Sequence, residues 1–166
     1  PGPTADPGAA PAASGASPRA VVDDARLLAA GEPANAGQWL SHGRDYSEQR
    51  FSPLAQLTPE NVGQLGLAWF ADFDTRRGQE STPLVIDGVL YVTTAWSKVY
   101  AFDARTGQQL WKFDPTVPGE WAVNACCDVV NRGVAAWERR IYLATIDGRL
   151  IALFAAKGEP VWDIYT

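Results

Sequence analysis

"LYVTTAWSKVYAFDARTGQQLWKF", residues 90–113, and "IYLATIDGRLIALFAAKGEPVWDI", residues 141–164, align without a gap at an offset of 51 residues. Tyr91 meets Tyr142, Thr94 meets Thr145, Ala101 meets Ala152, Gly107 meets Gly158 and Trp111 meets Trp162. Two spaced aromatics and a turn glycine in register are hard to obtain by chance. A period near 50 with several short strands per unit is the signature of a β-propeller. An earlier "LAWFADF" around Trp69 reads as the last strand of a preceding blade. The chain thus accounts for about two blades plus a strand of a third. Closed propellers take ~4–8 blades, and closure is what removes exposed strand edges. The expectation is a piece of a longer propeller.

The repeated turn has a physical logic. Asp103 and Thr106 offer oxygens to the turn backbone, Gly107 supplies permissive dihedrals, and Trp111 returns on the next strand as an anchor for the neighbouring blade. The second copy departs from this pattern: Phe154 replaces Asp103 and Lys157 replaces Thr106, so both capping oxygens are gone. That turn is expected to be weaker by ~1 kcal/mol, the usual worth of a lost cap.

Around the repeat, short apolar and aromatic runs alternate with Gly, Asp and Pro from Gly66 onward. "GLAWFADF", "TPLVIDGVLYVTTA", "SKVYAFD", "QLWKFD", "GVAAWERRIYLAT", "RLIALF" and "PVWDIY" all read as strand segments. The Asp-Gly pairs in "IDGV" and "IDGR" suit tight hairpins. The fold class is therefore all-β, with short helices only at the N-terminal side. "VVDDARLLAAG" predicts one of these. "LTPENVGQL" predicts a second, with Thr58 as N-cap, Pro59 at the first position and Glu60 complementing the dipole. Residues 1–20 hold five prolines, three glycines and seven alanines, and read as a disordered tail. The propeller part spans 21–166.

Composition narrows the function. The formal net charge of −5 argues against nucleic acid, which rewards clustered Lys and Arg. No apolar run reaches the ~18–20 residues of a membrane span. His42 is the only histidine, and one histidine without Cys or His partners at ligand spacing reads as structural. Trp96 and Trp121 read as packing residues. The two cysteines, Cys126 and Cys127, are adjacent. Neighbouring Cα atoms sit about 3.8 Å apart, below the usual disulfide range of about 4.4–6.8 Å. Residue chemistry alone leaves two readings open: a pair of reduced thiols filling a core, or a vicinal disulfide that persists in an oxidising compartment.

Five strings carry a resemblance: "GRDYSEQRFSPL", "RRGQESTPLV", "AFDARTGQQLWKF", "EWAVNACCDVVNRG" and "TIDGRLIAL". Together they resemble the N-terminal part of the pyrroloquinoline quinone (PQQ) dependent alcohol dehydrogenases. "TTAWSKVYAFDA" followed by "VPGEWAVNACCDVVNRG" is most similar to the quinohaemoprotein branch. The resemblance implies an eight-bladed propeller that holds PQQ near its axis and oxidises primary alcohols to aldehydes in the periplasm. It implies that Cys126 and Cys127 form a disulfide stacked on one face of PQQ. It also implies that Arg132 contacts the quinone and carboxylate region and that Glu80 hydrogen-bonds a PQQ carboxylate. Two carboxylic groups in contact need a shared proton or a nearby cation. The implied Ca²⁺ ligands and aspartate base fall beyond residue 166, as does any haem c domain; a cytochrome c or that domain would accept the electrons. The chain alone is therefore expected to bind PQQ poorly and to have no turnover. The competing class is a non-catalytic propeller serving as a protein-binding scaffold. It would share the turn glycine and docking tryptophan but needs no Glu80, Arg132 or cysteine pair.

Overall fold

The computed structural model describes residues 21–166; the expected disordered tail, residues 1–20, lies outside the described residues. Two four-stranded antiparallel meanders make up most of the fold. The first comprises β1 (Leu84–Ile86), β2 (Val89–Thr93), β3 (Val99–Asp103) and β4 (Gln109–Phe113). The second comprises β5 (Ala135–Trp137), β6 (Arg140–Ala144), β7 (Arg149–Phe154) and β8 (Pro160–Tyr165). Strand by strand, the second set repeats the first at the 51-residue offset read from the sequence. Even the irregularity recurs: the ladder slips at Ala101/Phe102 and again at Ala152/Leu153.

Side-chain alternation explains why the sheets stack. In β3, Val99 and Ala101 join one buried cluster while Tyr100 and Phe102 join another on the opposite face. The first cluster fuses Leu84, Ile86 and Tyr91 with Ile141, Leu143, Ile151 and Leu153, so it is the interface between the two blades. The second packs Tyr100 and Phe102 against Phe73, with the Phe73 and Tyr100 ring centroids 4.9 Å apart.

Docking of one blade on the next is the same event twice. The Trp69 indole N–H donates to the Ala104 carbonyl at 3.1 Å, and a Cβ added at Gly107 would sit 2.5 Å from its ring. The Trp111 indole donates to the Ala155 carbonyl at 2.9 Å, and a Cβ at Gly158 would sit 2.4 Å from that ring. Only glycine lets the indole lie on the turn, and its φ of +74° or +70° suits glycine independently. Tyr91 and Tyr142 back their tryptophans identically, at 5.9 Å between centroids. Among the described residues no glycine turn closes over Trp162, which is correspondingly half-buried.

The N-terminal segment laces the hairpin turns together. Helix α1 (Asp24–Leu28) is capped by Asp23, whose carboxylate accepts from the Arg26 N–H at 2.8 Å. Arg26 forks onto Asp87 in the β1–β2 turn at 2.5 and 3.1 Å. The Glu138 N–H in the β5–β6 turn donates to the Val22 carbonyl at 2.8 Å. Trp39 pairs with Val85 through both backbone bonds, covering the edge of β1.

Two expectations are corrected. The stretch from Thr58 forms no α-helix; one turn there leads into a 3-10 turn, Val62–Gln64. Asn61 rather than Thr58 supplies the side-chain acceptor, taking the Thr58 N–H at 2.8 Å, while the Thr58 hydroxyl holds the Glu60 carboxyl below its usual range. Gly63 and Gly66 weaken a longer helix, and Leu57, Val62 and Leu65 are exposed, so no packed face supports one. "GLAWFADF" forms no ladder in the described residues, although Trp69 docks as a blade's last strand would.

Candidate functional site

The site lies at the end of the sheets opposite α1, where the chain enters β1 and β5. These two entry segments run side by side. Arg77 donates to Asp128 at 2.8 Å, a Cβ on Gly78 would touch Val130 at 3.5 Å, and Arg132 pairs with Glu80 at 3.0 Å. The Thr82 N–H donates to the Arg132 carbonyl at 3.1 Å. At Gly133, φ is +133° and a Cβ would come within 2.9 Å of the Thr82 carbonyl, so only glycine allows this approach.

Glu80 and Arg132, singled out separately in the sequence, are thus brought into direct contact. Both side chains stay accessible, at 43% and 69% of full exposure. Cys126 and Cys127 are joined as a disulfide across a Cα separation of 3.8 Å, and both residues are exposed. The bonded pair is exposed among the described residues rather than set in their core. The pair follows a 3-10 turn, Gly119–Asn124. It is tied down immediately afterwards: Asp128 is held by Arg77, and the Val129 carbonyl accepts the Trp96 N–H at 2.8 Å. Trp96 and Ser97 both adopt left-handed backbone, φ 64° and 57°, at the tip between β2 and β3. His42 is exposed and takes part through its backbone carbonyl, which accepts the Trp39 indole at 3.3 Å. Trp121 is half-buried on the 3-10 turn.

Sequence reasoning missed the residues that hold these groups in place. Gln79, Ser81 and Asn131 flank the candidates and all reach Thr93. Asn131 also donates to Ser97 Oγ at 3.2 Å and to the Ala144 carbonyl at 2.9 Å, and accepts from the Gly133 N–H at 3.0 Å. A signal was available: extending the 51-residue offset upstream pairs Arg77 with Asp128, opposite charges at equivalent positions.

The donor set suits a flat polyanion. An accessible guanidinium offers a fork to carboxylate or quinone oxygens. An accessible carboxylate stands beside it, and the exposed disulfide presents two polarizable sulfurs as a wall. Arg132 places a cation 3.0 Å from the Glu80 carboxylate.

Comparison with known proteins bears on this arrangement. The family described as "PQQ: Glucose/ethanol/alcohol dehydrogenase, beta-propeller domain" matches residues 39–163. The dehydrogenase subunit of the quinone alcohol dehydrogenase of Gluconobacter oxydans is 59% identical over 130 residues, covering 78% of this chain and 17% of that protein. A quinohemoprotein alcohol dehydrogenase of Pseudomonas putida is 52% identical over 147 residues, 89% of this chain and 21% of its own length. The solved structure of the ADHIIG quinohemoprotein alcohol dehydrogenase from Pseudomonas putida superposes with a TM-score of 0.86 at 50% identity, covering 91% of this chain and 22% of that one. A europium-containing methanol dehydrogenase superposes with a TM-score of 0.78 at 34% identity, covering 86% and 25%. The chain therefore spans about a fifth of the length of the relatives it matches. With two stacked blades, the repeated tryptophan docking and a family match running from Trp39 to Asp163, the chain belongs to the PQQ β-propeller family of the glucose, ethanol and alcohol dehydrogenases.

Proposed function

We propose that this chain forms part of the propeller of a periplasmic, PQQ-dependent alcohol dehydrogenase that oxidises primary alcohols to aldehydes. The observation that carries this reading is the accessible Glu80–Arg132 pair at 3.0 Å, set on the same two entry segments as the exposed Cys126–Cys127 disulfide. When bound, PQQ supplies an electrophilic quinone that takes up hydride. The residues of this chain bind and orient. Arg132 directs its guanidinium to anionic and quinone oxygens, Glu80 hydrogen-bonds a ligand carboxyl beside that cation, and the disulfide forms one wall. Ca²⁺, the aspartate base and the electron acceptor (a cytochrome c or a haem domain) come from outside these residues. The relatives named as alcohol dehydrogenases support the reaction class. The disulfide supports export, because such bonds persist in oxidising compartments.

The test is a hybrid in which residues 39–163 replace the matching segment of the Pseudomonas putida relative. The hybrid is expected to bind PQQ and, with Ca²⁺ and an artificial acceptor, to oxidise 1-butanol. Arg132→Ala in the hybrid should weaken PQQ binding roughly 10- to 100-fold, the worth of a hydrogen bond to a charged group. A folded hybrid that binds no PQQ, or an Arg132→Ala hybrid that binds it normally, overturns the reading. The 166-residue chain alone should show weak PQQ binding and no turnover.

A further inference from the structure

We infer that Thr93 is a positioning residue that sets the distance between Glu80 and Arg132. This inference rests on the reading of that pair as cofactor contacts. Thr93 ends β2, is fully buried, and spends every polar atom on the two entry segments. Its N–H donates to Ser81 Oγ at 3.1 Å, and its carbonyl accepts from Gln79 Nε2 at 2.5 Å. Its Oγ1 lies 3.0 Å from Ser81 Oγ and 3.2 Å from the Asn131 carbonyl.

The proton assignments follow from the atoms involved. A carbonyl can only accept, so the Thr93 hydroxyl donates to Asn131. Thr93 Oγ1 must then accept from the Ser81 hydroxyl, while Ser81 Oγ accepts the Thr93 N–H. Every group is satisfied in one arrangement only. Gln79 and Ser81 bracket Glu80, and Asn131 immediately precedes Arg132. One buried hydroxyl therefore joins the segment bearing the carboxylate to the segment bearing the guanidinium. Both charged side chains are accessible and are not themselves locked by packing. This tether and the neighbouring Thr82 to Arg132 bond are the links closest to the pair that join the two backbones.

Threonine to valine is the discriminating change, since it keeps the shape and removes only the hydroxyl. It leaves the Asn131 carbonyl without its donor and the Ser81 hydroxyl proton without its acceptor, while the bond from the residue-93 N–H to Ser81 Oγ stays. In the full chain, Thr93→Val is expected to speed amide hydrogen exchange at Thr82 and Gly133 about five- to tenfold relative to the core amides of β2, β3 and β7. Thr93→Ser, which keeps the hydroxyl, should restore the slow rates. If Thr93→Val does not fold, Ser81→Ala reads the same tether from its other side and should accelerate Thr82 selectively. Unchanged exchange at Thr82 and Gly133, or a uniform rise across all strands, overturns the inference, because a merely structural threonine would loosen the whole sheet. In the hybrid protein, Thr93→Val should weaken PQQ binding about fivefold, with Thr93→Ser within twofold of the parent. A parent hybrid that binds no PQQ would remove the cofactor reading while leaving the exchange result to decide the tether.

Discussion

Cys126 and Cys127 stand exposed at the head of the segment that continues through Asp128 to Arg132. A bond between sequence neighbours closes no chain loop of any length, so it adds little of the unfolded-state restriction that makes longer-range disulfides stabilising. Its use is local: it stiffens the backbone just before Asp128 and Val129 anchor the chain to Arg77 and Trp96. Denatured, non-reduced protein should therefore show no reactive thiol, and both cysteines should become reactive after reduction. Thiols reactive before reduction in an oxidised preparation would contradict the bond. Reduction should also leave the thermal midpoint nearly unchanged. At this scale Glu80, Arg132 and the cysteines could be singled out because each sits in a string that resembles the PQQ-dependent family. Thr93 could not: a threonine in a strand reads as β-propensity, and its hydroxyl acquires a role only when residues 81 and 131 fold onto it.

The two turns that receive the docking tryptophans form a natural experiment at the scale of the element. In the first, Asp103 Oδ1 accepts from the N–H groups of Arg105 and Thr106 at 3.1 and 2.8 Å and from the Thr106 hydroxyl at 2.9 Å. In the second, the backbone path is kept by Phe154 N–H to Glu159 and Gly158 N–H to Phe154, both 2.8 Å, without side-chain caps. Phe154 is instead 47% exposed. The double substitution Phe154→Asp with Lys157→Thr should restore the caps and raise stability by ~1 kcal/mol, read as a higher urea midpoint. A lowered midpoint would mean that Phe154 has a packing role the caps cannot replace. The turns also mark what the sequence could and could not reveal. Asp87-Gly88 forms its hairpin with both φ values positive, as the Asp-Gly signal predicts. Glu138-Arg139 forms the equivalent turn at φ 43° and 64° with no Gly or Asn to announce it, so "GVAAWERRIYLAT" looked continuous. The helix expected from Thr58 had good capping residues but no surface to bury, which local signals do not register.

Across the whole molecule, blades are joined by apolar packing and by charged clusters that reach from one segment to the next. Asp74 gathers Lys112, Lys98 and the Tyr100 hydroxyl, binding the Trp69 segment to the first blade. Arg149 reaches Asp147, Asp163 at 2.8 Å and the Pro115 carbonyl at 2.7 Å, binding the second blade to the exit of the first. The 51-residue period revealed that blades exist and sets Lys98 and Arg149 at equivalent positions, but their carboxylate partners Asp74 and Asp163 are not equivalent and carry no periodic trace. They do leave a pH signature. Burial pushes the Asp147 carboxyl up, but hydrogen bonds from Arg149 and Thr145 outweigh it, so its pKa lies below the ordinary value. Lys112, Tyr100 and Lys98 likewise hold Asp74 well below the carboxylate range. A carboxyl that binds its proton more weakly when folded contributes stability above its unfolded pKa, about 3.9, and loses it as pH falls through the folded value. The urea midpoint should thus be flat near neutrality and fall progressively below about pH 4. Asp147, whose side chain is only 2% exposed, should contribute at any salt concentration, whereas the half-exposed Asp74 should contribute less in high salt. Asp147→Asn should cost ~2 kcal/mol at pH 7, the worth of a hydrogen bond to a charged group. The same substitution should flatten the acid limb relative to the parent. An acid limb equally steep in Asp147→Asn would show that the Arg149 clasp does not govern how the blades separate.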